Sequence, residues 1–159
     1  MEIYISTSGA GIWRWSINKL RLPAFNKILY YYYLYFDQFK MSIFIEYKTT
    51  SDFLLVTFNG LWTKDDMETS VKEIGIEAEK LKAKRILLDL CGLSSPLSEM
   101  NRFYAGELLA SVLGKYKIAG CAQAEKINRF GENVAVNRGA RFKMFANESN
   151  AIDWLISDV

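Results

Sequence analysis

Five consecutive residues, Ile86-Leu87-Leu88-Asp89-Leu90, leave no room for a polar face. Lys84 and Arg85 precede them, and Cys91-Gly92-Leu93-Ser94-Ser95-Pro96 follows. A short aliphatic run with charges on one side and Gly/Ser/Pro on the other suits a strand buried on both faces, which is the situation of a central strand in a parallel sheet. A chain built around such a strand must cover both faces of the sheet with helices. Ligands and regulatory contacts in open α/β sheets gather beyond the carboxyl ends of the strands, so residues 89–98 are the first place to look for function.

The flanking segments agree with that frame. Ile43, Ile45 and Tyr47 alternate with Phe44, Glu46 and Lys48, and Thr49-Thr50-Ser51-Asp52 turns the chain into Phe53-Leu54-Leu55-Val56-Thr57-Phe58, which predicts a β-hairpin. Thr63 with Asp66 forms a capping box in which Asp replaces the usual Glu. Met67, Val71, Ile74, Ala78 and Leu81 then recur at steps of four and three and line one face of a helix. After the central strand, Pro96 and Ser98 offer helix-start signals, Phe103 to Leu113 supply an apolar face, and Gly114 ends it. A short strand follows at 117–122, and then a helix over 125–138 with Ile127, Phe130 and Val134 inward. Residues 141–145 read as a half-exposed edge strand, and Asn147 caps a last helix. The order ββαβαβαβα implies a mixed, mostly parallel sheet with helices packed on it and right-handed crossovers.

Residues 1–40 read differently. Trp13, Trp15 and the run Ile28-Leu29-Tyr30-Tyr31-Tyr32-Tyr33-Leu34-Tyr35-Phe36 show neither helical nor alternating period. Nine apolar residues fall short of the ~20 that a membrane-spanning helix needs, and no small-residue cleavage site follows them. The expectation is an N-terminal extension, disordered or added by too early a start, with a membrane-surface aromatic anchor as the alternative, followed by one domain over 41–159. The extension holds a local net charge of +3 and leaves −1 for the rest, so the total of +2 is no argument for nucleic-acid binding.

Histidine is absent from the chain, which removes Ser-His-Asp and Cys-His catalysis and the mixed Cys/His zinc sites. The two cysteines, Cys91 and Cys121, fit a reducing compartment better than a disulfide. No cofactor or metal is expected, and the location expected is cytoplasmic.

Three segments together resemble a known superfamily: Asn59-Gly60-Leu61-Trp62-Thr63-Lys64-Asp65-Asp66 after the hairpin, the central strand with its Gly/Ser loop, and the terminal run from Phe142 through Asn147 to Trp154-Leu155. They resemble the STAS superfamily of sulfate-transporter and anti-sigma-factor-antagonist domains, in particular its SpoIIAA-like (STAS/SEC14) branch. Phe130-Gly131-Glu132-Asn133-Val134-Ala135-Val136-Asn137-Arg138-Gly139 is similar to a recurrent helix of that branch. The resemblance implies a SpoIIAA/STAS-like α/β sandwich and a non-enzymatic domain that works by binding. It implies a protein partner such as an anti-sigma factor or a kinase-like regulator. A second reading, also implied by the branch, is a carrier or sensor of a small lipid-like or anionic ligand. In antagonist members a serine in an Asp-Ser-Ser/Thr-Gly motif after the central strand is phosphorylated. Here Leu93-Ser94-Ser95-Pro96-Leu97-Ser98 stands in that place, without the preceding acid or the following glycine.

The candidate residues follow. Ser94, Ser95 and Ser98 lie near a helix N-terminus, where free N–H groups and the helix dipole favour a phosphate or another anion; the alternative role is capping. Asp89 is the one acid of the apolar strand and must be hydrogen-bonded, paired or turned to the sheet's end. Asp89, Arg129, Asn133, Asn137 and Arg138 are candidate ligand or partner contacts; the alternative for Asn133 and Asn137 is capping of neighbouring backbone. Residues 115–143 carry a local net charge of +5 and residues 63–79 one of −4. These opposed patches suggest docking to a charged partner or a homodimer; the alternative is solvated helix faces.

Overall fold

In a computed structural model the chain is described at residues 3–5, 13–15 and 43–157. Strands β1 (Ile3–Ile5) and β2 (Trp13–Trp15) pair antiparallel. The rest of the N-terminal extension, including its aromatic run and the expectation attached to it, lies outside the described residues.

The hairpin forms as its alternation predicts. β3 (Ile43–Thr49) and β4 (Leu54–Gly60) pair antiparallel, with Ile45 opposite Phe58 and Tyr47 opposite Val56. Helix α1 (Lys64–Lys80) starts at the Thr63 capping box: Thr63 accepts from the Asp66 N–H and Asp66 accepts from the Thr63 N–H. Its buried stripe is Met67, Val71, Ile74 and Ala78. β5 (Arg85–Leu93) is the third strand of the five-stranded sheet β3-β4-β5-β6-β7, as the apolar run requires. β6 (Lys117–Cys121) and β7 (Arg141–Phe145) extend the parallel part, and β7 forms the edge.

The two faces of β5 go to different helices. Ile86 and Leu88 join Val56, Phe58, Met67, Ile74, Leu109 and Leu113 in the main core, under α1 and α2 (Glu99–Leu113). Leu87 faces the other way and packs with Ala119, Ala151 and Leu155 beneath α4 (Glu148–Ile156). All three aliphatic side chains are at most 1% exposed. Burial of each contributes roughly 1.5–3 kcal/mol, which is why the run tolerates no polar residue before Asp89.

Two expectations need correction. The helix expected over 125–138 is broken: a 3₁₀ turn (Ala124–Lys126) is followed by an irregular link, and α3 is Phe130–Asn137. Asn128 Oδ1 accepts from the Phe130 N–H at 3.1 Å, and Arg129 takes the left-handed backbone (φ 57°), so a continuous helix cannot pass. As a result Phe130 is 40% exposed instead of inward, while Val134 is buried. The central strand also runs past Leu90 to Leu93, with an irregularity where Thr57 pairs with Asp89 but Asn59 pairs with Gly92. Gly92 is there for space: a Cβ would lie 2.6 Å from the Phe58 carbonyl oxygen and closer still to Asn59.

Candidate functional site

At the carboxyl end of β5 the chain must leave the sheet and start α2. Ser94 donates its backbone N–H to the Gly60 carbonyl at 2.8 Å, which ties the loop to the end of β4. Ser98 is the N-cap: its Oγ accepts from the Asn101 N–H at 3.2 Å. Ser94, Ser95 and Pro96 lie upstream of that cap and are exposed, so among the three serines the capping role belongs to Ser98. Pro96 stands before the first turn, not inside it.

The loop is fastened from below by two cations that the sequence did not single out. Arg102 donates through Nε to the Leu97 carbonyl and through Nη2 to the Lys126 carbonyl, each at 2.8 Å. Lys126 Nζ donates to the Leu93 carbonyl at 2.9 Å. Backbone carbonyls have no sequence signature, which explains why neither residue stood out. Next to this fastening, α2 and α3 approach closely at two glycines. A Cβ on Gly106 would fall 2.7 Å from the Gly131 carbonyl oxygen and 2.9 Å from Val134, and one on Gly131 would fall 3.0 Å from the Arg102 carbonyl oxygen.

The other candidate residues divide. Arg129 and Phe130 stand at the loop end of α3. Arg129 pairs with Glu132 at 3.1 Å, and Glu132 accepts from the Met144 N–H at 2.7 Å on the outer edge of β7. Asn133 is exposed along the same helix. Asn137 and Arg138 lie at its far end, about 12 Å from its start at the α-helical rise. Arg138 is a strut, donating to Glu107 at 2.8 Å and lying 5.2 Å from the Phe103 ring centre. It is not brought to the serine loop. One surface ion pair links the two charge patches within the chain, between Lys115 of the basic one and Glu79 of the acidic one.

Asp89 satisfies its charge locally. Its Oδ1 accepts from the Cys91 N–H at 3.0 Å, and Cys121 lies opposite it in register. Cys91 is exposed as a residue, but partial desolvation of its thiol, and then its hydrogen bond with Asp89, push it up to about 12. Cys121 is shifted upward chiefly by burial. Such thiols are poor nucleophiles at neutral pH. Among the described residues no cluster of three His, Cys, Asp or Glu side chains could hold a metal ion. No described helix is long and apolar enough to cross a membrane.

Beneath the loop lies an apolar cavity of about 70 Å³, bordered by Trp62, Leu88, Leu109, Phe142 and Met144, with Arg102 and Arg129 also in its wall. It is smaller than the ~150 Å³ that accepts a benzene-sized molecule.

The fold is similar to that of a solved structure described as an anti-sigma factor antagonist from Mycobacterium paratuberculosis. The two share 12% identity and a TM-score of 0.53, over 73% of this chain and 96% of that one. The chain has a SpoIIAA/STAS-like fold. A second structure, an uncharacterized DUF3478-family protein with a SpoIIAA-like fold from Shewanella loihica, is 24% identical with a TM-score of 0.48, over 72% of this chain and 93% of that one. No protein-family model matches the chain, and no curated protein matches it in sequence. The STAS-like sheet accounts for residues 43–157, with the serine loop after its central strand.

Proposed function

We propose that this STAS-like domain is a non-enzymatic, cytoplasmic regulatory module that docks a protein partner on the face built from the 94–98 loop, the start of α2 and the start of α3. One observation carries the reading: exposed serines lie on the loop that leads into α2, with exposed Met100 (72%) in its first turn and exposed Phe130 (40%) at the start of α3. Isolated apolar residues on a surface are ordinary, but two large ones flanking a hydroxyl-rich helix start suit a switchable contact. Phosphate on Ser94, Ser95 or Ser98 would add charge near the free N–H groups of α2. The likeness to an anti-sigma factor antagonist makes an anti-sigma factor or its kinase the first partner to test.

The carrier reading has less support: the apolar cavity of about 70 Å³ is well below the ~300–1,000 Å³ of small-molecule sites, and the hollow of about 340 Å³ beside Lys64, Glu68, Lys72 and Tyr104 is lined mainly by charged side chains, which do not suit a lipid-like ligand. Native mass spectrometry of the protein isolated from its own cells separates the two. A phosphorylated peptide across residues 92–102, with Asp at that serine releasing a partner that Ala retains, is the expected result. A retained small molecule with unmodified serines and unchanged partner binding would overturn it.

A further inference from the structure

At the opposite end of the strands from the serine loop, the sheet register aligns three cations. Arg85 of β5 is opposite Lys117 of β6, and Lys117 is opposite Arg141 of β7. Strand alternation puts them on the face that carries Leu87, Ala119 and Phe145, the face under α4. Lys143, two residues along β7 from Arg141, shares that face. Adjacent strands are about 4.8 Å apart, so the row spans roughly 10 Å and ends at the open edge of the sheet. Like charges this close on neighbouring parallel strands repel, at some cost to the fold.

Part of that cost is offset inside the molecule. Lys117 Nζ donates to the Ser157 carbonyl at 2.6 Å, at the negative end of α4, and lies 4.7 Å from the Trp154 ring centre. Towards the edge the contacts are neutral: Arg141 donates to the Lys115 carbonyl at 3.2 Å, and Lys143 lies 5.3 Å from the Phe145 ring centre. A carbonyl or a ring face leaves a cation its full charge.

We infer that this row, centred on Arg141 and Lys143 at the β7 edge, is a second docking surface that takes an acidic helix of a protein partner. Carboxylates three and four residues apart on a helix recur every ~5–6 Å, close to the ~6.6 Å between Arg141 and Lys143 along β7. Nucleic acid fits less well. Single-strand binding needs ring faces on which bases stack, and here Trp154 and Phe145 are half-buried with Lys117 and Lys143 already over them. A net charge of +2 also supplies little long-range pull on a polyanion.

The test is biosensor binding of the full chain to a synthetic 20-residue helical peptide with Glu on one face, at 25 and 250 mM salt. The expected result is salt-sensitive binding that falls at least tenfold in the Arg141→Glu/Lys143→Glu variant and is largely kept by Arg141→Lys, with circular dichroism unchanged. A Ser94→Asp variant should bind the peptide like the parent, since its loop is at the other end of the strands. No binding, or equal binding by parent and charge-reversed chain, would overturn the inference. Tighter retention of single-stranded RNA or of anionic phospholipid vesicles than of the peptide would overturn the assignment to a protein partner.

Discussion

Arg102 and Lys126 hold each other's loops: the Arg102 guanidinium donates to the Lys126 carbonyl at 2.8 Å, while the Lys126 ammonium reaches back to the Leu93 carbonyl at 2.9 Å. The loop after β5 and the turn before α3 are thereby one mechanical unit, although they lie some thirty residues apart in the chain.

Arg102→Met keeps an unbranched apolar stem and removes both hydrogen bonds to the Leu97 and Lys126 carbonyls. Hydrogen bonds from a charged group contribute about 1.5–3 kcal/mol, so unfolding in urea should show a loss at the low end of that range, because the group is half-buried. Native-state hydrogen exchange should speed up in both 94–98 and 124–130 together. Faster exchange in only one of the two segments would show that they are not joined through Arg102.

The α2–α3 contact makes a sharper prediction. Gly106→Ala would place a methyl group 2.7 Å from a carbonyl oxygen and 2.9 Å from Val134, so α3 must move. Overpacking of this kind costs typically 1–3 kcal/mol. Gly75→Ala on α1 is the control, since its Cβ would meet Val112 and Leu113 at ordinary contact distances of 3.4 and 3.5 Å. Gly75→Ala should be neutral or stabilising, by up to about 1 kcal/mol from helix propensity. Thermal melts of the pair give the comparison directly.

The thiols predict a pH dependence. Cys91 ionises at about 12 in the folded protein and near 8.5–9 when unfolded, and Cys121 is shifted the same way. Between those values the folded state binds more protons, so stability is complete below pH ~8.5 and falls as pH rises towards 12. Iodoacetamide should label Cys91 slowly at pH 8 and about tenfold faster for each added pH unit. Asp89→Asn, which removes the carboxylate contribution, should accelerate labelling at fixed pH. A labelling rate equal to that of a free thiol at pH 8 would contradict this account.

How much of this was legible depended on whether the signal was local. The 86–90 run put β5 at the centre of the sheet, Thr63 and Asp66 marked the start of α1, and Asn147 marked the start of α4, because each acts within a few residues of chain. The helix break at Arg129 was missed because it rests on Asn128 and a single left-handed residue inside an otherwise helical pattern. The register irregularity at Gly92 and the cation row of Arg85, Lys117 and Arg141 are set by which strands lie side by side, and one-dimensional spacing does not carry that. The basic count over 115–143 mixed Arg129 and Arg138, which serve α3, with Lys117 and Arg141, which belong to the row.

The strand order β3-β4-β5-β6-β7 has a consequence for how the chain can be made. Spatial order repeats chain order, so no strand has to be inserted between two that are already paired. During synthesis, at roughly 5–20 residues per second, each new strand meets a waiting edge as it leaves the ribosome. The hairpin supplies the first edge, and every βα unit after it covers the strand just laid down before the next arrives. Growth in one direction leaves a single unfinished border at any moment, and the Glu132 carboxylate on the Met144 N–H is the last stitch along it.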